Sequence, residues 1–173
     1  MTATTPPWRA SRARHVYIAH FRVRNHELDA LGHVNNAAYL NYLEQAAIDH
    51  AAAGGFSEAR LRAIGGVFVA RRHEIDYLQP ARAGDWLRVI TWPVELGAAK
   101  AVRAYEITRL PAPLVADPPR DGLRDPGEVG PLPVVIARAQ TVWAFVNVAT
   151  ARPRRMPVEI VNEFLREGGP AER

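Results

Sequence analysis

The sequence of 173 residues contains no cysteine. This absence excludes disulfide bonds, thiolate nucleophiles and cysteine-ligated metal sites, and it suits a reducing compartment. No apolar run approaches the ~20 residues that a transmembrane helix needs, and the start of the chain lacks the apolar core of a secretory signal. We therefore expect a cytoplasmic protein without a membrane partner.

Lysine is also nearly absent. Lys100 is the only lysine, so arginine carries almost all of the basic charge in a chain whose net charge is +4. Because the planar guanidinium fork binds phosphate bidentately, such a chain is suited to a phosphate-bearing small molecule. No basic stripe is interleaved with aromatic residues, and this argues against a nucleic-acid partner.

Length and composition indicate one globular domain. The chain is long enough for one core and short for two, and 48% of its residues are hydrophobic. We expect a disordered N-terminal tail over residues 1–14, which lack apolar periodicity, and a C-terminal tail over residues 166–173. Residues 111–133 hold seven of the fourteen prolines, which predicts an irregular insertion loop within a domain of residues 15–165.

Apolar periodicity predicts a strand, a long helix and then a series of strands. Residues 15–24 alternate as a strand, and the alanine-rich stretch from Asn36 to Ala53 has helical spacing, with Asn35 or Asn36 as its cap. The later elements are a short helix, four strands and a C-terminal helix, at 56–64, 67–78, 86–94, 101–110, 134–148 and 158–165.

These elements predict an α+β domain. Connections of hairpin length indicate an antiparallel sheet, and one sheet wrapped on one apolar helix buries the apolar side of both. An open sheet has two edges, so we expect an edge or a face to pair with a second copy of the chain.

Residues suited to chemistry stand directly before the long helix. They are Asp29, Gly32, His33, Asn35 and Asn36. The first amide N–H groups of a helix have no partner within it and suit a developing negative charge. A carboxylate beside them can activate an oxygen nucleophile. On spacing alone, the better interpretation of Asp29 is an acid that closes a turn.

This part of the chain reads Asp29-x-x-Gly32-His33-Val34-Asn35-Asn36-x-x-Tyr39-x-x-Tyr42-x-Glu44. The run resembles the start of hotdog-fold acyl-CoA thioesterases of the 4-hydroxybenzoyl-CoA thioesterase family. The likeness continues in residues 97–109, 142–146 and 150–157, and it covers residues 16–165 apart from the proline-rich insertion. It implies a hotdog fold, which is a curved antiparallel sheet around a long central helix, and hydrolysis of an acyl-CoA thioester to a carboxylic acid and CoA.

The resemblance also implies catalytic roles. In that family the aspartate at the position of Asp29 acts as general base on water or as nucleophile, and both routes stay open here. The amides around Asn35 and Asn36 would hold the oxyanion. His33 is a candidate because related plant acyl-acyl-carrier-protein thioesterases use a histidine in a similar run to assist an aspartate. The alternative for His33 is a side chain bonded to the loop backbone.

Further candidates would bind substrate. They are Asn35, Tyr39, Glu44, Lys100 and Arg103. Lys100 and Arg103 follow the Gly97 turn, where the family often places contacts to the phosphates of CoA. The alternative phosphate contacts are Arg152, Arg154 and Arg155. Glu44 either positions water or is a structural partner of the loop.

Three functions remain open at this stage. The first is an acyl-CoA thioesterase that acts as a homodimer or homotetramer, without a metal or redox cofactor. The second is an acyl-acyl-carrier-protein thioesterase, which the His33–Asn36 run favours and which Leu31 opposes, because the plant enzymes carry an asparagine there. The third is a non-catalytic module that binds acyl-CoA. A hotdog dehydratase fits less well, since its motif is not found.

Overall fold

The computed structural model describes residues 7–111, 120–129 and 134–166. The helices of these parts are α1, α2 and α3, at Asn36–Ala53, Glu58–Ala63 and Val158–Phe164. The strands are β1 to β6, at Val16–Arg22, Gly66–Tyr77, Trp86–Leu96, Lys100–Arg109, Gly122–Arg124 and Val135–Asn147. Within the described parts, every helix is too short or too polar to cross a bilayer.

The six strands form one sheet in the order β2-β6-β4-β3-β1-β5, and all neighbours are antiparallel. The antiparallel prediction is confirmed. The connection of β2 to β3 is not a hairpin, however, because β6 and β4 lie between them. Residues 78–85 therefore cross three strand spacings of ~4.8 Å each, about 14 Å in all.

Helix α1 lies against one face of this sheet. Asn35 caps it by accepting the Ala37 N–H at 2.8 Å, and Gly54 ends it. Leu43 and Ala46 are fully buried, and the small side chain of Ala46 lets the helix approach the strands. The shared core consists of residues from α1, β1, β3, β4 and β6, among them Tyr42, Leu43, Ala19, Leu87, Val89, Ile107 and Ile136. The predicted α+β fold, a sheet wrapped around one long helix, is confirmed.

The opposite face of the sheet is covered by the N-terminal segment. Residues 7–10 form a turn of 3-10 helix whose Trp8 is fully buried and meets Trp92 edge-on at 5.5 Å. Ile18 and Ile90 belong to the same cluster. The expectation of a disordered tail over residues 1–14 thus differs from the structure beginning at Pro7. The reason is that β1 and β3 are apolar on both faces, so their second face also needs a cover.

The proline-rich segment contributes a strand. β5, at Gly122–Arg124, pairs with β1 at the sheet edge, so the expectation that residues 111–133 are irregular throughout is wrong at this triplet. The triplet contains no proline and can therefore donate to a neighbouring strand. Residues 112–119 and 130–133 of the insertion lie outside the described residues, as do 167–173 of the predicted C-terminal tail.

We predict that Trp8→Ala lowers the free energy of unfolding by about 3–5 kcal/mol, because it empties a fully buried site beside Trp92. Chemical denaturation measures this change. Ala10→Ser is the matched control, since Ala10 is exposed in the same turn and should change stability by less than about 0.5 kcal/mol. Equal stability of the wild type and the Trp8 variant would show that this segment adds nothing to the core.

Candidate active site

A tight loop closes in front of α1. Leu28 and Val34 form an isolated antiparallel bridge, and within it the Asp29 N–H donates to the His33 carbonyl at 2.7 Å. The Gly32 N–H donates to the Asp29 carbonyl at 3.1 Å. Gly32 has a φ of +72°, which a residue with a Cβ adopts only under strain. The loop therefore depends on glycine at this position.

The two carboxylate oxygens of Asp29 lie in different surroundings. Oδ1 accepts the N–H of Leu31 at 2.8 Å and the N–H of His33 at 3.1 Å. Oδ2 accepts no hydrogen bond from the described residues, and the side chain is exposed. One oxygen thus closes the turn, and the other is available to a water or a substrate. The role in the turn and a role in chemistry are compatible.

The N-terminus of α1 offers fewer free donors than the sequence suggested. The Asn35 N–H donates to the Glu27 carbonyl at 2.8 Å, and the Ala37 N–H is taken by the Asn35 side chain. The Ala38 N–H bonds the Asn35 carbonyl at 2.9 Å. Among the first helical amides of the described chain, this leaves Asn36 N–H without an acceptor. The expectation that the amides of both Asn35 and Asn36 receive an oxyanion is therefore reduced to Asn36.

A depression of about 200 Å³ joins the loop to the end of β2. Asp29, His33, Asn36 and Tyr39 line it, so the structure brings these four predicted site residues together. The remaining lining comes from Val34 and from residues 77–80.

Tyr77 is a member of this site that was not among the predicted site residues. Its hydroxyl donates to the Asn36 carbonyl at 2.9 Å, and its ring meets Tyr39 edge-on at 5.2 Å. Burial raises the pKa of Tyr39 and of Tyr77, so both phenols stay neutral. The only signal for Tyr77 in the sequence was its parity with the apolar residues of β2.

His33 lines the depression but does not pair with Asp29. The two side chains form no ion pair, which means that the ring nitrogens of His33 lie more than 4.0 Å from the carboxylate oxygens of Asp29. The contacts between the two residues run through the backbone and through Asp29 Oδ1. An Asp–His dyad is thus not formed in this conformation.

The other predicted binding residues lie away from the depression. Lys100 is exposed and pairs with Glu95 at 3.0 Å. Arg103 turns toward α1 and donates to His50 Nδ1 at 2.7 Å, so the two cations do not form one phosphate site. Glu44 lines a second cavity, together with Arg103.

The alternative arginine cluster is also dispersed. Arg154 donates to the Ile64 carbonyl at 2.5 Å, whereas Arg152 and Arg155 are exposed. No three His, Asp or Glu side chains of the described residues come close enough together to hold a metal ion.

Comparison with known proteins matches residues 31–116 to the model of the thioesterase superfamily. The match includes His33, Asn36 and Tyr39, and it begins two residues after Asp29.

Solved structures resemble the whole fold. A 1,4-dihydroxy-2-naphthoyl-CoA thioesterase from Synechocystis has a TM-score of 0.66 at 18% identity, covering 86% of this chain and 94% of that one. A probable thioesterase from Escherichia coli has a TM-score of 0.63 at 23% identity, covering 85% and 95%. A hypothetical protein from Staphylococcus aureus, solved in complex with CoA, has a TM-score of 0.67 at 13% identity, covering 87% and 82%. At these identities the likeness establishes the fold, which is the hotdog fold that the sequence led us to expect.

We predict that Asp29→Ala destabilises the protein by about 1 kcal/mol, because the N–H groups of Leu31 and His33 lose their shared acceptor. Asp29→Asn keeps an oxygen at Oδ1 and should stay within about 0.5 kcal/mol of the wild type. Thermal and chemical denaturation of the two variants test this difference. If Asp29→Asn is as unstable as Asp29→Ala, the turn depends on the charge and not on the acceptor.

Proposed function

Because this chain belongs to the thioesterase superfamily, we propose that it hydrolyses acyl-CoA thioesters, with Asp29 activating the oxygen that attacks the carbonyl. The observation that carries this role is the second oxygen of Asp29, which accepts no hydrogen bond from the described residues. That carboxylate lines the same depression as Asn36, whose N–H has no acceptor there.

Thioester hydrolysis needs an activated oxygen and a site for the oxyanion. The leaving group is a thiolate whose parent thiol has a pKa comparable with the ~8.5 of free cysteine, so it departs without an acid catalyst. As a base, Asp29 removes a proton from water while the hydroxyl oxygen bonds to the carbonyl carbon; the C–S bond then breaks, and the departing thiolate takes up the proton from Asp29. As a nucleophile, it bonds to that carbon, expels the thiolate and leaves an anhydride, which water hydrolyses. Both routes give one carboxylic acid and one thiol.

The oxyanion would be held at the start of α1. Asn36 N–H is the free donor, and the positive end of the helix dipole favours negative charge at this point. Tyr77 supports the arrangement from outside, because its hydroxyl donates to the carbonyl of Asn36 and so holds the peptide that directly follows the free N–H. His33 and Tyr39 would complete the wall of the substrate site.

CoA is the carrier that we propose, in preference to acyl carrier protein. A Synechocystis thioesterase of the same fold is described as acting on a CoA thioester, and a Staphylococcus aureus protein of this fold was solved with CoA. Leu31, which stands where the carrier-protein enzymes have an asparagine, supports the same choice.

We also propose that two copies of the chain pair through β2. This strand has 12 residues and lies at the edge of the sheet, so within the described parts of the chain its outer N–H and C=O groups have no neighbouring strand. Val69, Tyr77 and Leu78 are 42%, 43% and 48% exposed. A long edge with exposed apolar side chains is suited to pairing with another copy.

We predict that Asp29→Asn lowers kcat/KM about 10²–10⁴-fold on a panel of aliphatic and aromatic acyl-CoA substrates, because the amide cannot accept a proton or attack the carbonyl. The control is Asp125→Asn. Asp125 is exposed in another turn, where its Oδ1 accepts the Gly127 N–H at 2.8 Å, so its loss should leave turnover unchanged.

Unchanged turnover by Asp29→Asn would remove Asp29 from the mechanism. Tight binding of acyl-CoA without turnover by the wild type would instead indicate a binding module. Comparing kcat/KM for the same acyl group attached to CoA and attached to acyl carrier protein tests the choice of carrier. A preference in kcat/KM of more than about tenfold for the acyl carrier protein substrate, about 1.4 kcal/mol in transition-state binding, would favour an acyl-acyl-carrier-protein thioesterase.

We predict a two-chain mass by light scattering and a shift toward single chains in Val69→Lys, because lysine on an edge strand opposes pairing. The apparent dissociation constant should rise at least about tenfold, about 1.4 kcal/mol. Val158→Lys is the control, since Val158 is 69% exposed outside β2. A single-chain mass for the wild type, or equal effects of both variants, would contradict this interface.

A further inference from the structure

A second cavity, of about 270 Å³, lies along the C-terminal half of α1. Its walls are mainly apolar and come from all three helices and from β2, β3, β4 and β6; they include Ala51, Leu61, Phe68, Leu96, Ile160 and Phe164. On α1, the lining residue nearest to Asn36 of the first site is Glu44, eight residues or about 12 Å away, and His50, which holds Arg103, is fourteen residues or about 21 Å away. Within one chain the cavity is thus separate from Asp29.

One cation reaches this apolar cavity from β4. Nη1 of Arg103 donates to His50 Nδ1 at 2.7 Å and to Thr91 Oγ1 at 3.2 Å. Nε and Nη2 of Arg103 donate to no described residue, and no described carboxylate lies within 4.0 Å of the guanidinium. Nη1 of the guanidinium is therefore held by the protein, whereas Nε and Nη2 are available to a ligand.

His50 orients this guanidinium without neutralising it. Because His50 Nδ1 accepts from Arg103, the ring carries its proton on Nε2 and is neutral. Burial, followed by the charge of Arg103, holds the pKa of His50 well below its ordinary value. Burial also lowers the pKa of Arg103, but a guanidinium remains charged at neutral pH. Arg62 also lines the cavity but is paired with Glu58, so among the described lining residues Arg103 is the cation without a carboxylate partner.

A positive charge in an apolar setting is costly unless it is paired. Glu44 lines the same cavity, yet it is an exposed residue and makes no ion pair with Arg103. Glu58, another lining residue, is paired with Arg62 at 2.7 Å. Neither lining carboxylate therefore pairs with Arg103.

We propose that this cavity binds a small apolar carboxylic acid, whose carboxylate pairs with Nε and Nη2 of Arg103. Parallel N–H groups of an arginine fork match the two oxygens of a carboxylate. A phosphate dianion fits less well, because of the two lining cations Arg62 is already paired with Glu58, and Glu44 adds a further negative charge to the lining. The volume lies just below the ~300–1,000 Å³ of typical small-molecule sites, which favours a chain of short to medium length.

Calorimetric titration of the full-length protein with octanoate and with octanamide tests this proposal. The two probes share one chain, and only octanoate carries the charge. Octanoate should bind the wild type at least about tenfold more tightly than octanamide, about 1.4 kcal/mol. Arg103→Gln should abolish this preference, and Arg103→Lys, which keeps the charge but not the fork, should retain part of it.

Further variants distinguish binding in the cavity from nonspecific binding elsewhere on the protein. Ala51→Phe should fill the cavity and weaken both probes, whereas Ala52→Phe, at the next and exposed position of α1, should weaken neither. Arg82→Leu removes one exposed cation elsewhere and should leave octanoate binding unchanged. Circular dichroism checks that each variant is folded. Equal binding of both probes by the wild type, or undiminished octanoate binding by folded Arg103→Gln, would overturn the proposal.

The carboxylate has two possible sources, a free acid or the far end of an acyl thioester bound at the Asp29 site of a second copy of the chain. For the thioester, Arg103→Gln should lower the ratio of kcat/KM for the CoA monothioester of octanedioic acid to that for octanoyl-CoA. For the free acid, this ratio should be unchanged while octanoate binding still falls. The titration needs no turnover, so its outcome is independent of whether Asp29 hydrolyses thioesters.

Discussion

The burial of α1 against the sheet is the constraint on which the other features depend. An 18-residue helix can lie this close to the strands because alanines occupy the contact, with Ala46 fully buried and Ala47 nearly so. The close approach fixes both ends of the helix relative to the strands. Its N-terminus then faces the end of β2, where Tyr77 bonds the Asn36 carbonyl, and its C-terminal half faces Arg103 on β4.

Asn35 links the position of α1 to that of the loop that holds Asp29. Its N–H donates to Glu27, on the far side of the loop, while its side chain caps the helix at Ala37. The same residue therefore anchors the loop and starts α1. Since Ala37 N–H is consumed by this cap, the free donor shifts to Asn36. A better cap and a richer oxyanion site are thus in competition for the same few amides.

Local pattern predicted the parts of this protein that local physics determines. The span of α1, its cap at Asn35 and the apolar face of β1 all follow from spacing within one element. The insertion of β6 between β2 and β4 was missed, because strand order depends on contacts between segments distant in sequence. Burial of Trp8 was missed for the same reason: its partner Trp92 is far along the chain. Of the residues that line the depression, Asp29, His33, Asn36 and Tyr39 were among the predicted site residues, and Tyr77 was not.

Arg103 shows how position on a strand determines what a charge can do. Lys100 and Arg103 are three residues apart on β4, so they project to opposite sides of the sheet. Lys100 is exposed and finds Glu95, an interaction that water screens and that contributes little. Arg103 lies under α1, where neutral His50 and Thr91 satisfy one nitrogen and no described carboxylate balances the charge. In the sequence the two residues read as one basic cluster. In the fold, Lys100 forms an ion pair at the surface, and Arg103 lies in an apolar cavity where it is placed to bind an anion.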